Sequence, residues 1–296
     1  MKALCAIARR DFLRYFTSPT GYVFITVFIF VSAFAQFWQS EFFTHSLANL
    51  APLNGWFPII LCFFAAVIAM GSWADERRHG TDELLLTLPA SDTSLVLGKY
   101  VAALGIYTTA LLFSLSHVIV LFFLGSPDLG LMFSTYLAYW FLGAALISIA
   151  MIGSLLSESM TVGFIIGTLL CLILVFLKFV LGLETSFRDL TSGVLSLSAI
   201  LYFTSITILG LYLNYLLLRW KRLMTGHLHL PVRALSLLLG CASLWILSAR
   251  GGTRIDLTAE RLHTLSEVTR KVLTDIPDDR PVTIRAYISP EVPRDY

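Results

Sequence analysis

Long, nearly uninterrupted apolar runs constrain this chain more than any other feature. Seven of them recur, at roughly residues 21–40, 56–74, 100–124, 131–154, 161–182, 195–218 and 232–249. A helix needs about 20 mainly apolar residues to cross the hydrocarbon core of a bilayer. Inside lipid, every backbone N–H and C=O must be satisfied within its own segment, so these runs are predicted to be helices. Composition agrees, with 57% of the 296 residues hydrophobic and only 14% charged, too apolar for a soluble domain. The expected fold class is an all-α polytopic membrane protein. The charge is concentrated in a tail: Arg250 to Tyr296 holds eight basic and eight acidic residues.

Orientation follows from lysine and arginine. If the seven runs alternate across the membrane, Lys2, Arg9, Arg10, Arg14, Arg77, Arg78, Lys99, Arg219, Lys221, Arg222 and Arg233 fall on one side, and only Lys178 and Arg188 on the other. The N-terminus and residues 75–99 are therefore expected in the cytoplasm, and the tail outside. The opening "MKALCAIARRDFLRYF" is not a signal peptide, because Arg9, Arg10, Asp11 and Arg14 interrupt it before an apolar core forms. It reads as an amphipathic helix over 1–18, lying in the interface with its basic residues near anionic headgroups. Asp11 is placed to pair with Arg14 at i+3.

The membrane runs are poor in chemistry. His117 and Asn214 lie within them and Lys178 near the end of one, whereas ion-coupled transporters carry acids, bases or broken helices at depth. His117 is expected to be an interhelical hydrogen-bond partner. Gly163 and Gly167 form a GxxxG step that permits close helix approach. Of Cys5, Cys62, Cys171 and Cys241, three sit in apolar runs and none forms a C-x-x-C pair, which fits small buried residues and no metal site. His227 and His229 lack a third ligand and read as part of a solvated turn. Hydrolase and phosphate-loop motifs are missing, and Gly98-Lys99 is followed by Tyr100 without an upstream loop glycine. Uphill work by this chain would need a partner's energy.

Residues 75–99 carry the most distinctive pattern. After "ADERRHG", Thr81 can cap a short helix with Asp82 and Glu83 in its first turn. Leu84, Leu85 and Leu88 then form one apolar stripe, and Pro89 stops the helix. Ser91 or Asp92 can cap the next helix, which leads through Lys99 into the third run. By pattern alone this is a helix–break–helix on the cytoplasmic surface, with or without a partner.

The stretch "DERRHGTDELLLTLPASDTSLVLGKY" resembles the cytoplasmic signature of ABC-2 type transporter permeases, and "RRDFLRYFTSPTGYVF" is similar to the gliding-motility-associated and copper-maturation-type members. The resemblance covers roughly residues 1–220. It implies a six-helix permease body over 19–222, and a coupling segment at 75–99 that docks into a partner ATPase. By position, the matching residues are Glu76, Arg77, Gly80, Thr81, Glu83, Leu84, Leu85 and Pro89. Leu84, Leu85 and Leu88 would fill an apolar groove in the partner, Arg77, Arg78 and Glu83 would set register, and Gly80 would turn the chain out of the second span. The implied partners are two ABC ATPase copies, a second permease subunit in a homo- or heterodimer, and the lipid bilayer, with no nucleic acid. ATP and Mg would be bound by the ATPase, so the chain itself would need no cofactor and would not be an enzyme. The implied location is a bacterial cytoplasmic (inner) membrane.

The tail reads differently. Ser266 can cap a helix of about ten residues, and "PVTIRAYIS" alternates as a strand. One helix and one strand cannot bury a core. Residues 250–296 resemble the opening of the extracytoplasmic α/β domain of gliding-motility-type auxiliary subunits, reached through a seventh span within 223–249. The sequence is accordingly expected to be part of a longer protein. Two functions follow: an export permease, or a non-transport complex that drives an assembly or gliding-motility-type process outside. A third reading, an intramembrane enzyme, is disfavoured by the scarcity of acids and histidines at depth.

Overall fold

A computed structural model describes residues 2–38, 49–81, 90–177, 183–223, 240, 254–259, 261, 263–264 and 266–275. The described helices are α1 (Lys2–Thr17), α2 (Pro19–Phe37), α3 (Ala51–Arg78), α4 (Asp92–Phe113), α5 (Ser116–Leu124), α6 (Leu129–Leu156), α7 (Met160–Phe176), α8 (Leu183–Thr191), α9 (Leu197–Leu223) and α10 (Glu267–Thr274). Two short strands, β1 (Val194–Ser196) and β2 (Arg254–Asp256), pair antiparallel, with Leu195 opposite Ile255. Among the described residues, five stretches are long and apolar enough to cross a membrane: α2, α3, α4 with α5, α6 and the α9 residues up to Trp220. α7 follows the fifth apolar run, but its 17 residues extend only about 25 Å. The rest of that expected span, from Lys178 to Gly182, lies outside the described residues. So do most of the seventh span (all but Gly240), His227 and His229, Cys241, and the expected strand over 281–288.

Local chemistry sets the boundaries. Pro19 starts α2, where a missing N–H costs nothing. Ser91 caps α4 by accepting from Ser94 N, and Asp128 caps α6 by accepting from Gly130 N and Leu131 N. α3 ends in a Schellman motif: Gly80 adopts φ +64°, its N–H reaches Arg77 O at 3.0 Å, and Thr81 N reaches Glu76 O at 2.9 Å. Gly80 thus makes the sharp exit expected of it. The third apolar run is broken at Ser114–Leu115, between α4 and α5. Tyr136 Oη donates to the Ser114 carbonyl at 2.8 Å, which supplies a partner where the helix is interrupted.

α6 is the central post and packs against α3, α7 and α9. Its contact with α7 is a glycine seam. A Cβ placed on Gly153 would lie 2.4 Å from Gly167 N and 2.7 Å from Gly163 O, so the GxxxG step of α7 does bring two backbones together. Polar side chains within the bundle bond across helices. His117 Nε2 lies 3.1 Å from Ser32 Oγ, as expected of an interhelical partner, and Asn214 Nδ2 donates to Ser148 O at 2.8 Å.

The bundle has two dissimilar ends. The C-terminus of α3, the N-terminus of α4 and the C-terminus of α6 meet at one, where Ser154 Oγ accepts from Trp73 N and donates to Met70 O. Ile7, Trp73, Leu95, Val96, Leu155 and Leu218 form a small second core there. The opposite end carries the start of α6, α8 and the β1–β2 ribbon.

Candidate functional site

The first of these ends is held by charge. Lys99, on the second turn of α4, has a side chain only 2% exposed. A buried ammonium must be paired, and this one is ringed by acceptors. Its Nζ lies 2.9 Å from Glu76 Oε1, 3.6 Å from Asp11 Oδ2 and 2.5 Å from the Ser72 carbonyl, with the Trp73 ring centroid 4.9 Å away. Glu76 is itself buried, and its Oε1 also accepts from Arg10 at 2.6 Å. Arg10 bonds Asp11 at 2.8 Å as well. Burial disfavours the charged Arg10 guanidinium, but its bonds and charge contacts with Asp11 and Glu76 outweigh that and raise its pKa further. Arg14 pairs with Asp75, which His79 also approaches at 3.4 Å. Three bases and three carboxylates thus tie α1, the end of α3 and the start of α4 into one unit.

One sequence expectation for α1 is corrected. Asp11 bonds Arg10 and reaches Lys99, whereas Arg14 goes to Asp75. Arg10 and Arg14 both also meet carboxylates of α3. α1 also packs closely on α4, with Ile7 against Gly98 and Phe12 against Gly105.

Of the residues matched to a coupling segment, Glu76, Arg77, Gly80 and Thr81 are described. Glu76 is the internal anchor just described. Arg77 Nη1 donates to Ser157 O at 2.7 Å, Arg78 is exposed, and Thr81 Oγ1 donates to Glu76 O at 3.2 Å. Glu83, Leu84, Leu85, Leu88 and Pro89 lie outside the described residues, as does any helix that Thr81 would cap. The sequence reading missed Lys99, Arg10 and Asp75 as partners. The signal was present: acids closing one span, a lysine opening the next, and bases on a helix assigned to the same depth.

The opposite end is held by capping carboxylates. Asp128 Oδ2 accepts from Ala259 N at 2.8 Å while its Oδ1 caps α6. The Ala259 N–H, with smaller help from Leu131 and Gly130 N–H and against some burial, holds the Asp128 carboxyl below its usual range. Asp256 accepts from the Thr258 hydroxyl at 2.6 Å, and from Thr258 N, His263 N and the Thr264 hydroxyl. These bonds, that of the Thr258 hydroxyl foremost, lower its pKa to about 2. Ser266 caps α10 by accepting from Thr269 N at 3.1 Å, as the sequence predicted.

Helices long and apolar enough to cross a membrane, with an ionic cluster bracing the two that flank residues 82–89, define a multi-pass membrane protein. A family model described as ABC-2 family transporter protein matches residues 22–218, from the first turn of α2 to the last turns of α9. The chain belongs to that family, whose members are membrane components, generally not catalytic themselves, that work in general with an ABC ATPase. No curated protein matches the chain.

Proposed function

We propose that this chain is the permease subunit of an ABC export complex, and that residues 75–99 couple it to a pair of ATPase subunits on the cytoplasmic side. One observation carries the reading: the buried Glu76–Lys99 contact joins the helix entering this segment to the helix leaving it, and Arg10 ties α1 to both. A push on residues 82–89 then moves three helices together instead of bending one. Two permease subunits, identical or related, pair around a path that ATP-driven closure of the ATPases opens alternately to each side. The body has six spans, with α7 and the residues after it as the fifth, and a seventh carries the tail to the outer face. In support, the last turns of α9 lie at the ionic end, whereas β2 is seated on β1 at the other.

A second reading has its own support. β2 extends the sheet edge of β1 directly before α9, so movement of the bundle is passed to residues 254–256 through the β1–β2 pairing. In that case the complex acts on an outer assembly partner, as a gliding-motility-type system would, and moves no solute. Both readings predict that Glu83→Arg and Leu84→Asp abolish co-purification with the ATPase and the stimulation of ATP hydrolysis in proteoliposomes. Normal coupling in both variants would sink the coupling assignment. Transport of lipid or glycan in those proteoliposomes then separates the first reading from the second.

A further inference from the structure

An open cavity of about 780 Å³ lies between α1, α2, α3 and α4. Its two ends differ in chemistry. Asp11, Arg14, Asp75, Glu76 and Lys99 line one end, and Phe24, Phe64, Val67, Ile68, Ala102 and Ile106 line its walls. Its side is flanked by Thr20, Val23, Val27 and Phe63, all exposed, on helices that cross the bilayer. It therefore opens sideways toward lipid. Along α3 it runs from Phe63 to Glu76, about 20 Å, or somewhat more than one leaflet of a hydrocarbon core roughly 30 Å thick. Such a volume, mostly apolar with a few convergent polar groups, is of the size and character of a small-molecule site.

The polar end has an unmet requirement. Glu76 is 5% exposed. Its Oε1 takes both Arg10 and Lys99, while its buried Oε2 accepts no hydrogen bond from the described residues. A buried carboxylate oxygen without a donor is costly and calls for an explanation. The nearby cations are already engaged: Lys99 with Glu76, Asp11 and Ser72 O, and Arg10 with Asp11 and Glu76. What fits is a compact cation that carries N–H groups. At the rim, the Arg14 side chain is 58% exposed and pairs with Asp75, which leaves its guanidinium open to an anion from the bilayer side.

We propose that this groove binds a phospholipid with a primary-amine headgroup. Its ammonium donates to Glu76 Oε2, its phosphate lies at Arg14, and an acyl chain lies along the exposed Val23, Val27 and Phe63. A quaternary ammonium has no N–H to give, so a choline lipid of the same shape is discriminated against. The inference needs only that the helices span the membrane, and it is tested on the permease without its ATPase, so its failure and a failure of coupling are separable.

The full chain is reconstituted in nanodiscs of phosphatidylcholine with a minority of phosphatidylethanolamine, re-extracted in detergent, and its retained lipid measured by mass spectrometry. Retained phosphatidylethanolamine should exceed its share of the bilayer by roughly tenfold, the worth of one charge-assisted hydrogen bond. Glu76→Gln should bring that enrichment to near unity. Val23→Trp and Val27→Trp fill the mouth without touching the ionic cluster, and should cut retention of both lipids even if Glu76→Gln does not fold. Equal retention of the two lipids by the unaltered chain, or enrichment that survives both tryptophans, overturns the proposal. Displacement by soluble glycerophosphoethanolamine as readily as by the lipid would show that only the headgroup is bound, and would overturn the amphiphile site.

Discussion

The two ends of the bundle solve the same problem, tying separate segments together, with opposite chemistry. At the end where α1, α3 and α4 meet, whole charges are buried: Lys99 and Glu76 are nearly inaccessible, and each depends on the other and on α1. At the opposite end, carboxylates at the surface cap backbone N–H groups, with Asp128 and Asp256 gathering in the tail. A buried ion pair is brittle, because removing one partner strands the other in a medium that cannot solvate it. An exposed cap yields gradually, because water replaces what is lost. The brittle design sits where force would enter under the proposed coupling. The yielding design sits where a tail is docked.

That contrast is most directly broken at Lys99. Lys99→Met leaves Glu76 buried with Arg10 alone and should destabilise the bundle by about 3–5 kcal/mol, seen as a large fall in the apparent melting temperature of the purified protein. Combining it with Glu76→Gln should cost less than the two single changes added together, since the charges removed were each other's reason for being there. Strict additivity would mean that the cluster is not acting as a unit. At the other end, Asp128→Ala should cost about 1 kcal/mol, the usual worth of a helix N-cap. It should raise protease cleavage within residues 254–264 and leave the ionic end intact.

How much of this could be read in advance depended on the range of the interaction. Five of the spans, the Gly80 exit, the Ser91 and Ser266 caps and the bonding role of His117 were legible because each is set by neighbours in sequence or by hydropathy summed over a window. Hydropathy sums do not see a turn, so the break at Ser114–Leu115 vanished into one apolar run. The amphipathic α8, with Leu183, Phe187 and Leu190 buried, hid in a stretch that averages to weakly polar. β1 and β2 are three residues each and about 58 residues apart, too short for a period to register and too distant for a turn to announce. The ionic cluster needed α1 to be packed on α4, and nothing in a charge count says which acid a given base will meet.

Two smaller effects sharpen the comparison. Arg14 is largely exposed, so Arg14→Ala should cost no more than about 0.2–1 kcal/mol. A loss as large as that of Lys99→Met would mean that the burial of charge is not what distinguishes the two ion pairs. Acid is the finest probe of the tail. A carboxyl whose pKa is depressed in the folded state contributes its full share of stability above its unfolded pKa and loses it as pH falls through the folded value. For Asp256 that window runs from the ordinary value of 3.8 down to about 2, and Asp128 shifts in the same direction. Tail docking should therefore be flat between pH 8 and 5, whether followed by proteolysis or by a fluorophore placed at residue 259, and should weaken only below about pH 4. Asp256→Asn should loosen the tail at neutral pH and flatten whatever acid response remains. If the tail instead came away near pH 6, the capping carboxylates would not be what holds it.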